Sequence, residues 1–196
     1  MSDMELLERY AAGEENAFQA IVSQYKDSVY SFLRRFLGRS DLVEDVFQET
    51  FMQLYVSRNM FDLSKPLRPW LFTIAANKAK DALRRNRRID STHLGSMFGT
   101  EDSSMEDVLN TLDSDTRMPY DNLIKDETAA AVHRVISRMP AKLREILILG
   151  YFHAFAYAEI AKILRIPVGT VKSRLHTAVA RFAEEWNASM LCETTN

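Results

Sequence analysis

The stretch that decides the fold is Ala158 to Leu175, AEIAKILRIPVGTVKSRL. The spacing of its apolar residues predicts two short helices joined by a tight turn, with the second helix starting at Pro167. The residues predicted to face inward are Ile160, Ala161, Leu164, Val171 and Leu175. This layout is typical of a helix-turn-helix, whose second helix enters the major groove of DNA. DNA is therefore the first candidate partner of this chain.

The outer face of the second predicted helix is polar and basic. The residues expected to contact DNA are Thr170, Lys172, Ser173, Arg174, His176 and Thr177. The alternative is a helical hairpin that packs on another protein. Two positions are unusual for the motif: Ala156 stands where Ser or Thr commonly caps a helix, and Arg165 stands where Gly commonly ends one.

The composition predicts an all-α protein made of two small helical domains. The chain has 196 residues, and its six Gly and five Pro are too few for the many turns of an all-β fold. The single Cys192 cannot form an internal disulfide, so we expect a reducing cytosol. The start of the chain lacks a secretory pattern, and no stretch approaches 18 apolar residues, so we expect no direct membrane insertion.

Charge is unevenly distributed along the chain. Residues 61–88 contain eight basic and two acidic residues (+6), and residues 129–196 contain nine and five (+4). Between them, residues 89–128 contain two basic and ten acidic residues (−8). Two basic blocks predict two surfaces for a polyanion, or simply two solvated helical faces. The pattern also predicts that the free chain masks its DNA-binding faces, through the acidic segment or through contact between the domains.

The predicted boundaries follow from the apolar periodicity and its interruptions. They are a helical domain over 1–88, an acidic linker over 89–125 and a helix-turn-helix domain over 126–196. In the first domain, Gly38 is expected to end one helix and Asp41 to cap the next. Two prolines within 61–69 predict a loop. The last helix is expected to fray after Trp186.

The first domain contains two candidate sites. One is a polar and acidic stripe on a predicted helix, which is either solvated or docked on a basic helical partner: Asp41, Glu44, Asp45, Gln48 and Glu49. The other is the loop 61–69 with the helix that follows, where basic and aromatic residues and an Asn suit a single nucleic-acid strand. Its candidate residues are Phe61, Leu63, Lys65, Arg68, Asn77, Lys78, Arg84 and Arg85. The alternative is that Trp70 and Phe72 are core residues and the Arg run is a solvated helix end; Trp70 is expected in the core in either case.

Enzymatic patterns are absent from the sequence. The four His and one Cys lack the spacing of metal ligands, and there is no Gly-rich phosphate loop. The carboxylates crowd onto predicted solvated helices or the linker, which provides no paired general acid and base. We therefore expect no catalytic residue, no metal and no cofactor.

Four segments in this order carry a family resemblance: residues 44–51 (EDVFQETF), 68–78 (RPWLFTIAANK), 139–145 (MPAKLRE) and 157–175. Together they resemble the bacterial RNA polymerase sigma factors of the extracytoplasmic-function group. The alternative, a dimeric helix-turn-helix transcriptional regulator, requires a dimer and a palindromic site.

The resemblance implies a role for each segment. The acidic helix would dock on the coiled coil of the largest subunit of core RNA polymerase, and a second contact would reach the flap of the second subunit. The loop 61–69 with Asn77 would capture a flipped-out base of promoter DNA near the start site, and the recognition helix would read the upstream element. An anti-sigma protein is a further implied partner. Lys172 and Thr177 depart from the basic residues that are frequent there, which affects the choice of upstream bases.

Overall fold

The computed structural model describes residues 3–58, 62–63, 65–93 and 127–193. Within these ranges every regular element is a helix, which confirms the all-α class. The first half contains α1 (Asp3–Ala11), α2 (Glu15–Leu37), α3 (Ser40–Val56) and α4 (Leu67–His93). The second half contains α5 (Glu127–Arg138), α6 (Ala141–Leu147), a π-helical turn (Ile148–Phe152), α7 (Tyr157–Leu164) and α8 (Val168–Glu193).

The turn between α2 and α3 agrees with the prediction at one residue and not at the other. Gly38 adopts a left-handed conformation with φ of 73° and donates its N–H to the carbonyl of Arg34, so it ends α2 as expected. The prediction that Asp41 caps α3 is wrong. The backbone is extended only through Arg39, so α3 begins at Ser40 and Asp41 lies within its first turn, paired with Arg39 at 2.8 Å.

The core of the first domain lies between α2, α3 and α4. Each helix contributes an apolar stripe at spacings of three and four residues, as an amphipathic helix requires. The largest fully buried side chains of this domain are Tyr10, Ile21, Phe32, Leu33, Phe36, Leu54, Leu67, Leu71 and Phe72. Burial of each such side chain stabilises the fold by about 1.5–3 kcal/mol before entropy is subtracted. Phe72 is therefore a core residue, and Trp70 packs half-buried against the same core.

Three predicted ends differ from the structure. The loop is shorter than 61–69, because α4 begins at Leu67 and Pro69 fits its first turn, where no backbone N–H donor is needed. Helix α4 continues past residue 88, where it was predicted to end, to His93. Helix α8 continues past Trp186, whose ring stacks on Phe182 at 5.9 Å between centroids, to Glu193. Residues 94–125, the rest of the predicted linker, and residue 126 lie outside the described residues.

The two helical domains are in contact with each other. Helix α4 packs on α7, and α2 packs on α5, α6 and the π-helical turn. The ring of Phe72 lies 4.9 Å from that of Phe155 and 5.0 Å from that of His153, measured between centroids. Buried residues of both domains form one continuous hydrophobic cluster. We call this packing of α2 and α4 on the second domain the interdomain contact.

Arg144 connects the two domains by hydrogen bonds. Its guanidinium is buried and donates to the carbonyl of Phe36 at 2.9 Å, near the end of α2. It also donates to the carbonyls of Ser137 and Met139, at the end of α5. The carboxyl ends of helices carry unpaired carbonyls and a partial negative charge, so one guanidinium satisfies two helix ends at once. Burial lowers the pKa of Arg144 to about 10, which leaves it charged at neutral pH.

Candidate nucleic-acid interface

The helix-turn-helix is formed by α7, a turn over 165–167 and α8. All five residues predicted to face inward are buried, namely Ile160, Ala161, Leu164, Val171 and Leu175. Arg165 adopts the left-handed conformation with φ of 56°, and the N–H of Ile166 is bonded to the carbonyl of Ala161 at 3.0 Å. Ala156 has no side-chain cap, but its N–H donates to the Glu159 carboxylate at 2.9 Å. These local bonds satisfy backbone groups at the two ends of α7 despite the two unusual residues.

The recognition helix α8 presents the six predicted DNA-contacting residues away from the core. Lys172, Ser173, His176 and Thr177 are exposed, and Thr170 and Arg174 are half-buried. The hydroxyls of Ser173 and Thr177 donate to backbone carbonyls one turn earlier, at 3.2 and 3.1 Å, so their oxygens can still accept hydrogen bonds.

Arg174 lies at the edge of this face, near a buried carboxylate. Glu145 is 5% exposed and pairs with Lys80 at 3.6 Å. Burial raises the pKa of Glu145, and the charges of Lys80, Arg174 and Lys142 oppose this rise. The charge of Arg174 thus acts on a core carboxylate, while its half-buried side chain lies beside the surface that would meet DNA.

The acidic stripe lies along the outer face of α3. Asp41, Glu44, Asp45 and Gln48 are exposed. Glu49 is half-buried and pairs with two basic residues of α4, Arg85 at 3.1 Å and Lys78 at 3.5 Å. The structure therefore joins the acidic stripe to the basic face of α4, two sites that the sequence treats separately.

Sequence reasoning missed an apolar extension of the stripe. Met52 and Val56 are 64% and 69% exposed, and with Asp45 and Gln48 they line an open groove of about 390 Å³. Exposed apolar side chains grouped on one face are typical of interaction surfaces. The signal was present in the sequence, because Met52 and Val56 continue the stripe at spacings of three and four residues.

The basic face of α4 brings together four of the eight residues predicted to contact a single strand. Asn77 and Arg84, and likewise Lys78 and Arg85, are seven residues apart and share one face of the helix. Arg84 pairs with Asp81 at 2.8 Å. Of the loop residues, Leu63 and Lys65 are exposed, Lys65 pairs with Asp62 at 3.0 Å, and Phe61 lies outside the described residues.

Arg68 contacts the second domain. Its guanidinium donates to the backbone carbonyl of His153 and lies 4.2 Å from the centroid of the Phe155 ring. Both partners belong to the second domain. In this arrangement Arg68 holds the interdomain contact, so contact with DNA requires the two domains to separate there.

The described residues also bear on metal sites and on membrane-spanning helices. Within the described residues, no three His, Cys, Asp or Glu side chains are grouped so that they could hold a metal ion. Likewise, none of the helices in the described ranges has both the length and the hydropathy needed to cross a bilayer.

Comparison with known proteins identifies the family. The sigma-70 region 2 family matches residues 21–89, and the sigma-70 region 4 family matches residues 129–182. SigW of Bacillus subtilis, an extracytoplasmic-function sigma factor, is 34% identical over 164 residues, which are 84% of this chain and 86% of the relative. This chain belongs to the extracytoplasmic-function sigma factors. Like its family, it is a transcription initiation factor that directs core RNA polymerase to promoters.

Further similarities agree with this membership. The RNA polymerase sigma-H factor of Pseudomonas aeruginosa is 32% identical to this sigma factor over 180 residues, 90% of this chain and 89% of the relative. The structure of CnrH in complex with the cytosolic domain of CnrY has a TM-score of 0.68 at 23% identity, covering 95% of this chain and 97% of CnrH. The sigma factor RpoE of Bartonella quintana, solved with the anti-sigma factor NepR, has a TM-score of 0.65 at 22% identity, covering 87% and 96%. These two structures share the fold.

Family membership also decides between the two interpretations of the sequence. Region 2 and region 4 in this order are the parts of a sigma factor, so the dimeric regulator is no longer needed to explain the helix-turn-helix. The family consists of initiation factors that are not themselves enzymes.

Proposed function

We propose that the two domains of this sigma factor divide promoter recognition between them, with boundaries near residues 93 and 127. The first domain binds core polymerase and opens the promoter, and the second reads the upstream element. The observation that carries this proposal is the arrangement on the first domain, where ion pairs from Glu49 to Lys78 and Arg85 join the acidic stripe to the basic face. One domain surface can thus hold polymerase and promoter side by side.

The acidic stripe of α3 is the docking surface for the coiled coil of the largest polymerase subunit. Asp45 and Gln48 are exposed, and the neighbouring Met52 and Val56 offer apolar area that water does not stabilise. A basic helical partner would pair with the carboxylates and cover the two apolar side chains. Glu49 contributes less directly, because its charge is already balanced by α4.

The basic face of α4 holds the separated strand near the start site. Asn77 has the donor and acceptor pair needed to read the edge of an unstacked base, and Lys78, Arg84 and Arg85 supply charge for its phosphates. The exposed Leu63 and Lys65 complete this surface with Phe61, and Arg68 joins it when the interdomain contact opens.

The recognition helix α8 enters the major groove of the upstream element. Lys172, Ser173 and His176 are exposed in its first turns, where a recognition helix contacts base edges. Thr170, Arg174 and Thr177 flank them, and Arg174 has the fork that suits a guanine edge. The same domain makes the contact with the flap of the second polymerase subunit.

The remaining partners follow from the same reasoning. This sigma factor acts in the cytoplasm at the nucleoid, where polymerase and promoters are found. Its relative in fold from Bartonella quintana was solved with an anti-sigma factor, and we extend that kind of partner to this chain.

Transcription from a linear promoter fragment tests the division of labour. Holoenzyme with Asn77→Ala is expected to lose about 5- to 150-fold in initiation from duplex DNA, since a lost polar contact to a base is worth about 1–3 kcal/mol. A template with an unpaired start region should restore most of the activity. Asn16→Ala, on the exposed surface of α2, is the matched control. Equal loss on duplex and unpaired templates would contradict a role in opening.

A further inference from the structure

His153 is buried in the interdomain contact. It is 6% exposed and belongs to the second domain, but its ring packs against two aromatic rings of the first, Phe72 at 5.0 Å and Phe32 at 6.0 Å between centroids. Its Nε2 atom is buried and has no hydrogen-bond partner within the described part of the chain. Such a pocket accepts a neutral imidazole as an aromatic ring and offers nothing that accepts a hydrogen bond from a protonated Nε2.

The charged groups that act on His153 are cations from both helices packed against it, Arg35 of α2 and Arg68 of α4. Arg68 also donates to the backbone carbonyl of His153. Burial lowers the pKa of His153 to about 4, and the charges of the two arginines add to this shift. A positive charge on this imidazole is therefore disfavoured twice, by desolvation and by its neighbours.

His133 repeats this situation at the other end of the contact. It lies on α5, and its Nε2 is likewise buried and unpartnered within the described residues. Burial lowers the pKa of His133, the charges of Arg34 and Arg35 of α2 and of Arg144 of α6 lower it further, and a hydrogen bond to the Arg34 backbone opposes the shift. Both histidines thus face cations of the first domain.

We propose that His133 and His153 form an acid-sensitive latch, in which the two neutral rings hold the domains together and their protonation separates them. A proton on His153 can be stabilised only if its ring reaches water, which requires the second domain to move away from α2 and α4. His133 is half-buried as a residue, but its Nε2 atom is buried and needs the same movement away from α2. Opening of the contact is the way in which this fold can accept those protons.

The direction of the pH effect follows from proton linkage. In the open arrangement both rings return to the ordinary histidine pKa of 6.5, so the open arrangement binds more protons. The closed arrangement is fully favoured above that value and loses stability as pH falls through it. For His153 alone, the ratio of closed to open molecules falls about fourfold near pH 6 and about thirtyfold near pH 5.

Glu145 acts in the opposite direction. It is buried on α6 and faces Lys80 of α4, and burial raises its pKa against the opposing charges of Lys80, Arg174 and Lys142. Acid neutralises this carboxyl in the closed arrangement and so favours closure. As pH falls, the effect of Glu145 begins at the raised pKa of the closed arrangement and is complete near the ordinary value of 4.5, so this carboxyl opposes the two histidines over part of the acidic range.

Opening of the latch has a consequence for promoter binding. It frees Arg68, whose contact with DNA rests on the proposed function. The latch itself rests only on the interdomain contact, so the two ideas fail in different experiments.

Small-angle X-ray scattering of the full chain between about pH 7.5 and pH 5 tests the latch, with far-UV circular dichroism to follow helix content. We expect the radius of gyration to increase with falling pH while the helix signal is retained. The variant His133→Gln/His153→Phe should stay compact over the same range, because Phe keeps a ring in the pocket and neither new side chain titrates. His176→Gln changes an exposed histidine and should expand like the parent.

Two scattering results would overturn the proposal. One is a parent chain that stays compact at the acidic end, and the other is a double variant that expands with the same midpoint as the parent.

An NMR titration of the histidine ring protons of the parent chain gives a second test that does not depend on the double variant. Signals are assigned by single His→Gln changes. His153 is expected to titrate well below the ordinary histidine value of 6.5, and a midpoint at or above that value would refute the latch.

Discussion

At the scale of single residues, two arginines of this sigma factor occupy positions that are energetically unfavourable for different reasons, one for its backbone conformation and the other for its buried charge. Arg165 occupies a left-handed conformation that strains any side chain with a Cβ atom. Arg144 is buried, and the desolvation of its charge is offset by carbonyls of two helix ends. The strain at Arg165 is thus a property of its own backbone, whereas the burial of Arg144 is possible only because the tertiary structure supplies hydrogen-bond acceptors.

Arg165→Gly should stabilise the second domain. Glycine adopts a φ of 56° without the clash that a Cβ atom makes, so the free energy of unfolding should rise by about 0.5–1 kcal/mol despite the extra freedom of the unfolded chain. Urea unfolding followed by circular dichroism measures the change. Lys162→Gly, on the exposed side of α7, should instead lower stability by about 1 kcal/mol. A loss of stability in Arg165→Gly would show that the Arg165 side chain makes a favourable contact worth more than the strain.

Arg144→Lys should destabilise the folded chain although it preserves the charge. A lysine ammonium cannot donate to Phe36, Ser137 and Met139 in the fork geometry of a guanidinium, so about 2–3 kcal/mol of unfolding free energy should be lost. Arg138→Lys, at an exposed position of α5, should change it by less than about 0.5 kcal/mol. Equal effects of the two changes would mean that the carbonyls find other donors.

At the scale of the element, α3 and α4 each present one face to the core and another to a partner. Their inner faces follow directly from apolar periodicity. Their outer faces are linked by the ion pairs of Glu49, which means that a change of Glu49 alters both surfaces together. A clean test of the polymerase surface therefore uses residues of α3 that have no such pairing with α4.

Asp45→Lys/Gln48→Lys should weaken binding to core RNA polymerase by at least about tenfold, because like charges brought together at an interface cost several kcal/mol. Helix content should be unchanged, since exposed helix charges contribute little to stability. Fluorescence anisotropy with labelled protein measures the affinity. Asp27→Lys, exposed on α2, is the matched control. Unchanged affinity in the double variant would remove α3 from the polymerase interface.

At the scale of the whole molecule, the interdomain contact is held by aromatic rings and by hydrogen bonds from Arg68 and Arg144 to carbonyls. An ion pair between Lys80 and Glu145 also crosses it, at 3.6 Å. The sequence alone predicts masking through the acidic segment or through contact of the domains, and these two mechanisms differ in their response to salt.

Salt should leave the closed arrangement intact. The radius of gyration of the free chain at neutral pH should be the same at about 0.05 M and about 0.5 M NaCl, because burial of apolar rings is not screened by ions. Small-angle scattering across a salt series makes the measurement, and the affinity of the free chain for DNA of unrelated sequence provides a parallel readout. Expansion at high salt would indicate that the acidic segment holds the domains together instead.

The sequence by itself determined the helix-turn-helix, the all-α class and the acidic stripe. These features depend on apolar spacings of three and four residues and on turn residues such as Gly38. Each is therefore encoded by residues that lie close together in the sequence. The error at Asp41 has the same origin, because the exact start of a helix depends on the backbone at Arg39, which periodicity does not specify.

Only the tertiary structure decided which residues of the two domains contact each other. Arg144 donates to a carbonyl 108 residues away, and Arg68 to one 85 residues away, and no local pattern relates such positions. In the sequence, Arg68 fits a DNA contact because it is basic and lies in the segment 61–69. In the structure its guanidinium instead donates to the carbonyl of His153 in the second domain. Nothing in the sequence distinguishes His153 from other histidines, and its burial against Phe32 and Phe72 arises only when the two domains pack together. Contacts of this kind depend on the shapes of whole helices and on which apolar faces remain to be covered, and these are settled only when the chain has folded.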